Sequence, residues 1–184
     1  MLVGTAAAFV ATRNASNLLG ISAENSVGTE ILTMISSTTY TAGATWRHLL
    51  ASWDLSAGVG YLYINDADDL NTGTDLFTDD TIDYTVADWT TFPANSDSCL
   101  AELYFAPGQF LNFSLVSNRR KFISASGKPV SLGSTGALPT GTAPLVYFHL
   151  DDAEAVANFA TNRGSGGDFS ITGTLATGST SPSD

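Results

Sequence analysis

An all-β fold is the class this 184-residue chain predicts. Three observations carry it. Turn-forming residues recur at short intervals, strand-like runs rich in aromatic and β-branched residues lie between them, and only one stretch has a helical pattern. Nine strands and one short helix in a single domain point to an antiparallel sandwich or barrel.

In chain order, Leu2–Thr12 reads as the first strand. The opening MLVGTAAAFVATR is not read as a signal peptide, because its apolar run is short and no basic residue precedes it. Asn17–Ser22 and Glu30–Ile35 follow, and then Trp46–Trp53 and Tyr61–Asn65, joined by a loop that holds Asp54, Ser56, Gly58 and Gly60. Trp, Tyr, Val and Ile favour the pleated surface, while Gly, Asp and Asn bound it. Thr81–Tyr84, Leu100–Phe105, Leu145–Leu150 and Phe169–Leu175 complete the strands. The helix is expected over Ser114–Ile123, with Asn112 or Ser114 as cap and Arg119, Arg120 and Lys121 in the last turn. Leu115, Val116, Phe122 and Ile123 would share its buried face. Residues 1–176 read as one domain, and 177–184, TGSTSPSD, as a loose tail with nothing to bury.

Hydrophobic residues make up 43% of the chain and charged residues 14%, enough apolar material for a packed interior. Seven Lys/Arg against 18 Asp/Glu give a formal charge of −11, which argues against nucleic-acid binding because phosphate neutralisation needs a basic footprint. No stretch approaches the ~20 apolar residues of a membrane span. The one cysteine, Cys99, excludes an intrachain disulfide and reads as a small buried residue. Nine of the 18 acids, all aspartates, lie between Asp54 and Asp88, and five of the seven basic residues lie between Arg119 and Arg163. The basic cluster Arg119, Arg120, Lys121 is therefore expected to pair with the acidic half of the same fold or of a neighbouring subunit.

At this point the residues resemble a known family. The stretch TWRHLLASWDLSAGVGYLYIND, from Thr45 to Asp66, resembles the central hairpin of laminin G-like domains in the concanavalin A-like superfamily. CLAELYFAPGQFLNFSLVSNRRKFI is similar to the strand and short helix that close that sandwich. GKPVSLGSTGALPTGTAPLVYFHLDD and NFATNRGSGGDFSITGTL resemble a tail found in tailed-phage and prophage proteins that carry such domains. The resemblance covers Ile31 to Asp184, and its more specific parts are NRRKF, GKPVSLG and NRGSGGDFSITGTL in that order. It implies an antiparallel jelly-roll sandwich on the surface of a virion. Relative to such domains one or two strands before Leu2 are missing: either the open reading frame is short, or a neighbouring chain supplies that edge.

The chemistry-bearing residues fit that reading. Glycoside hydrolysis needs two carboxylates facing one groove. The only glutamates are Glu24, Glu30, Glu102 and Glu154, and none lies in the Glu-x-Asp-x-x-Glu pattern of the related β-glucanases. Glu102 reads as a cross-strand or helix-cap partner. His48 and His149 lie in strand-like runs without a second ligand at zinc spacing. No G-x-S-x-G elbow occurs. NRGSGGDF lacks the Lys-Ser/Thr of a phosphate loop and reads as a tight turn. Of Trp46, Trp53, Trp89, Tyr61, Tyr63 and Tyr84, Trp89 is the aromatic expected to be exposed, with Trp46 and Trp53 on opposite strand faces. Ligand contact is expected at Asp66, Asp68, Asp69, Asn71, Asp75 and Trp89. Asp66, Asp68, Asp69, Asp79 and Asp80 offer hard oxygens to Ca²⁺ although the spacing is not that of an EF-hand; the alternative is a solvated acidic loop. No other cofactor is expected. The expected function is a non-catalytic fibre, spike or decoration protein of a bacteriophage, a homo-oligomer (a trimer) contacting other virion proteins and a host surface. The alternative is a lectin-like module binding a host glycan, and the third reading is a glycan hydrolase.

Overall fold

The computed structural model describes residues 9–82, 84, 91–92, 99–150, 154–171 and 174–182. The chain is mostly β, as expected. Its strands are β1 (Phe9–Arg13), β2 (Leu18–Glu24), β3 (Glu30–Thr39), β4 (Leu49–Asp54), β5 (Val59–Ile64), β6 (Ala67–Asp68), β7 (Leu76–Phe77), β8 (Thr91–Phe92), β9 (Leu103–Phe105), β10 (Val146–Phe148) and β11 (Ser170–Ile171). They form three antiparallel sheets, β1-β2-β3-β7, β4-β5-β6 and β9-β10, and one parallel pair, β8 with β11.

The first sheet is amphipathic by alternation. Ile21 and Ala23 of β2 lie opposite Met34 and Leu32 of β3, and these four side chains share the main core. The strands β4, β5, β9 and β10 behave differently, being buried on both faces. Ala51, Trp53, Leu62, Ile64, Leu103, Phe105, Val146 and Phe148 join the main core. The residues between them, Leu50, Tyr61, Tyr63, Tyr104 and Tyr147, join a second core with Leu111, Phe113, Phe122, Ile123 and Leu132. The second set comes from the forty residues between Phe105 and Val146, which leave β9, cross the outer face as a strap, and return as β10.

Several expected elements are shorter than the sequence pattern suggested. The helix is a single turn, α1 (Val116–Arg119), rather than Ser114–Ile123. Leu115 is its N-cap residue and supplies no side-chain cap; Asn112 Oδ1 instead accepts from the N–H and hydroxyl of Ser114. Leu115 and Val116 face solvent while Phe122 and Ile123 are buried, so the four do not share a face. Trp46 precedes β4 rather than opening it, and its indole N–H donates to Thr180 Oγ1 at 3.0 Å, which ties residue 180 back to the domain. Gly60 lies inside β5, not in the loop. Of Thr81–Tyr84, residue 83 lies outside the described residues, and Ile82 forms an isolated bridge with Asn25. Cys99 is exposed rather than buried, since Leu100–Phe105 becomes strand only from Leu103. Of Leu2–Thr12, residues 2–8 lie outside the described residues.

Close approach explains two groups of glycines. A Cβ on Gly164 or Gly166 would meet the carbonyls of Pro144 and Leu145 at 2.6 and 2.8 Å. The NRGSGGDF loop thus lays its backbone along the edge of β10, where Ser165 and Gly166 donate to Pro144 and Leu145. At Gly60 a Cβ would stand 2.3 Å from the Phe77 ring and 2.9 Å from Met34 Sδ, under β7. Gly60→Ala is expected to cost about 1–3 kcal/mol by overpacking, measured as a lower urea midpoint; an unchanged midpoint would contradict this packing.

Candidate functional site

The acidic residues singled out by sequence divide between two structural uses and an exposed remainder. β5 and β6 join through a two-residue turn in which Asn65 and Asp66 both have positive φ, 51° and 69°. Asn and Asp are the residues other than Gly that best tolerate this backbone, and a two-residue turn of this hand matches strand twist. Asn65 then fixes the start of β4: its N–H donates to His48 O and its Oδ1 accepts from His48 N, both at 2.8 Å.

The turn aims Asp66 at α1. Arg119 Nε donates to Asp66 Oδ1 at 2.6 Å, and an Arg120 terminal nitrogen donates to Oδ2 at 2.7 Å. Arg119 is 9% exposed; it also donates to Phe113 O at 2.6 Å, and its guanidinium lies 4.5 Å from the centre of the Tyr63 ring. The expected intrachain pairing of the basic cluster is therefore present. Hydrogen bonds from Arg120 and Arg119 hold the Asp66 carboxyl below its ordinary range against the opposing effect of burial. Lys121 donates to Pro139 O at 2.7 Å across the strap.

Asp69 is a second fixed carboxylate, buried at the end of β3. It accepts from Ser37 Oγ (2.6 Å), Thr38 N (3.0 Å), Thr38 Oγ1 (2.8 Å) and Tyr40 OH (2.6 Å). Burial pushes its pKa up, but the donors Ser37, Tyr40 and Thr38 together outweigh burial and hold it below the usual value.

The other candidates are spread out. Asp68 is exposed and its Oδ1 accepts only a long contact from Leu70 N, 3.4 Å. Asn71 Oδ1 accepts from Gly73 N within its own turn, Asp75 is half-buried beside β7, and Asp79 is exposed. Asp80 accepts from Asn25 Nδ2 at 2.8 Å and Thr81 N at 2.7 Å. Among the described residues no three His, Cys, Asp or Glu side chains come together as a metal site. Trp89 lies outside the described residues.

Glu102 and His149 flank the last paired residues of β9 and β10, and His149 Nδ1 lies 2.7 Å from Glu102 Oε1. Burial raises the Glu102 pKa while His149 opposes the rise. Glu102 is thus a cross-strand partner. Glu154 pairs with Arg163. His48 is half-buried, and burial lowers its pKa with Asp66 pulling the other way. The aromatic candidates are largely occupied. Trp53 stacks on Phe9 at 5.6 Å, Tyr61 lies 6.1 Å from Phe110, Tyr63 lies under Arg119, and burial pushes the Tyr84 hydroxyl up to about 12. Among the described residues no helix is long and apolar enough to cross a membrane.

Sequence reading missed the roles of Ser37, Thr38, Tyr40 and Phe113. The first three were legible as SSTTY, a run of hydroxyls ending a strand, but their shared carboxylate stands thirty residues on. No family model, curated protein or solved structure matches this chain.

The depressed pKa values of Asp66 and Asp69 set the sign of the acid response. Each stabilises the fold fully above the unfolded value of ~4, and the contribution is lost as pH falls through the lower folded value. The raised pKa of Glu102 works oppositely, since protonating it relieves a buried charge. Urea midpoints are expected to fall as pH drops below about 4, two depressed groups outweighing one raised group. Asp69→Asn should cost about 2 kcal/mol at neutral pH and flatten that fall. A variant as stable as the parent, with the same pH slope, would contradict the buried role.

Proposed function

We propose that this chain is a non-catalytic jelly-roll sandwich of the laminin G-like, concanavalin A-like kind, serving as a fibre, spike or decoration protein on the outside of a bacteriophage particle. The virion placement is supported by the resemblance of the hairpin, the NRRKF segment and the glycine-rich tail to such proteins. The observation that carries the non-catalytic part is how the carboxylates are used. Asp66 neutralises two arginines, Asp69 gathers three hydroxyls, Glu102 pairs with His149, and Glu154 pairs with Arg163. Each of these carboxylates holds structural elements together, whereas a glycosidase needs two of them free on either side of one bond.

A structural role is also supported by the covered tyrosine face. Tyr63, Tyr104 and Tyr147 supply aromatic rings of the kind on which sugars can stack, but Tyr104 meets Tyr147 edge-on and the chain's own strap lies over them. A lectin-like reading keeps the exposed acids Asp68 and Asp79 as hydrogen-bond acceptors or Ca²⁺ ligands on variable loops.

The test is mass spectrometry and immunogold labelling of purified particles from a phage or induced prophage that encodes the chain. The chain is expected to sediment with intact particles and label their surface; its absence from particles would overturn the proposal. In parallel, the purified protein should release no reducing ends from a panel of bacterial polysaccharides. Turnover abolished by Glu102→Gln would contradict the non-catalytic role. Glycan-array binding lost on adding chelator, or in Asp68→Ala, would favour the lectin reading instead.

A further inference from the structure

Segments far apart in sequence meet at Tyr40, where the chain leaves β3 for the loop to β4. The Tyr40 N–H donates to Asn17 O in the β1–β2 turn at 2.6 Å, and its hydroxyl donates to Asp69 Oδ2 at 2.6 Å. The residue is thus fixed at backbone and ring tip. Two arginines are placed by it. Arg13, the last residue of β1, donates from Nη1 to Asn17 Oδ1 at 3.0 Å and reaches Tyr40 O at 3.4 Å. Arg47, near the other end of the β3–β4 loop, sets its guanidinium 5.2 Å from the centre of the Tyr40 ring.

Both arginines are exposed, and most of their donors are unused. Among the described residues Nε and Nη2 of Arg13 donate to nothing, and the Arg47 side chain donates no hydrogen bond. No carboxylate pairs with either arginine. That is unexpected in a chain where acids outnumber cations 18 to 7, and where Arg119, Arg120 and Arg163 each meet an acid. The carboxylate beyond Tyr40, Asp69, is met by hydroxyls instead. Two oriented guanidiniums therefore contact one anchored tyrosine and keep donors for an outside acceptor.

We propose that Arg13 and Arg47, set about Tyr40, bind the carboxylate of an acidic saccharide. A guanidinium fork matches a carboxylate in shape and charge. The net charge of −11 repels a polyanion, so the ligand carries isolated charges on a neutral carrier. Thr39 and Thr41 are exposed on either side of Tyr40, so this is a hydroxyl-bearing surface rather than an apolar cavity, which suits a sugar. Residues 41–46 make no main-chain hydrogen bond, while Tyr40 and His48 are held at the two ends of the loop. The loop can thus adjust to the carrier without moving the arginine anchors. The inference does not rest on the virion reading, and it differs from the lectin reading in using cations rather than Asp68 and Asp79.

An amide NMR titration with an oligosaccharide in which glucuronate alternates with glucose tests it. The amides of Tyr40, Thr41 and Arg47 and the Nε resonances of both arginines are expected to shift. Arg13→Met and Arg47→Met should each weaken binding roughly tenfold. Both side chains are exposed, so the melting temperature should stay close to that of the parent. Lys121→Met, away from the site, should bind like the parent. The same oligosaccharide with its carboxyls reduced to alcohols should bind about tenfold more weakly, as should inorganic phosphate. No shift at about 20 mM oligosaccharide, binding indifferent to both arginine variants, or equal binding of the reduced sugar would overturn the proposal. Equal weakening by Lys121→Met would overturn it too, by showing diffuse attraction. Phosphate bound as tightly through the same two arginines would overturn the assignment to a saccharide.

Discussion

The guanidinium of Arg119 joins two parts of the molecule that sequence keeps far apart, the strap and the β5–β6 hairpin. It belongs to the strap, it binds the Asp66 turn at the end of β5, and it caps the Tyr63 ring on the outer face of the sheet. A buried charge is costly unless its hydrogen bonds are met, and here the carboxylate, the carbonyls of Phe113 and Ser114 and the ring face meet them. The consequence runs outward. With Arg119 seated, Phe113, Phe122 and Ile123 lie over Leu50, Tyr63 and Tyr147 and close the second core. Without it, a row of tyrosines and Leu50 would face water on a sheet already buried on its other side.

The same constraint explains why an aspartate sits in the turn. Asp66 must adopt a left-handed backbone and also offer two oxygens in the direction of α1; glycine would meet the first demand and not the second. Consecutive arginines on one carboxylate engage both oxygens, one charged donor on each. The acidic loop is therefore not uniform. Its two most enclosed members hold the fold, while Asp68 and Asp79 remain at the surface.

Strand positions were legible because alternation is local. Leu18–Glu24, Glu30–Thr39 and Val59–Ile64 fall close to their expected places, since each is bounded by Asn, Asp or Gly and carries its own pattern. The helix was not, because Leu115, Val116, Phe122 and Ile123 mimic a helical stripe although only the last two are covered. What decides their fate is the sheet beneath, which the sequence of the strap does not encode. One clue was available: LLASW and YLYI are apolar or aromatic on both faces, the signature of strands covered on both sides. The acidic run looked like a ligand site because composition counts oxygens and not partners. The arginines and hydroxyls that occupy Asp66 and Asp69 lie more than fifty residues downstream and about thirty upstream.

A double-mutant cycle on Asp66 and Arg119 addresses the central claim most directly. Urea unfolding of the parent, Asp66→Asn, Arg119→Met and the double variant would give the coupling between the two sites. The structure predicts a coupling of at least about 1.5 kcal/mol, each single change being costly and the pair of changes costing less than their sum. Additive effects, with coupling below about 0.5 kcal/mol, would mean that the strap is held by its apolar contacts alone and that the Arg119–Asp66 clamp is incidental.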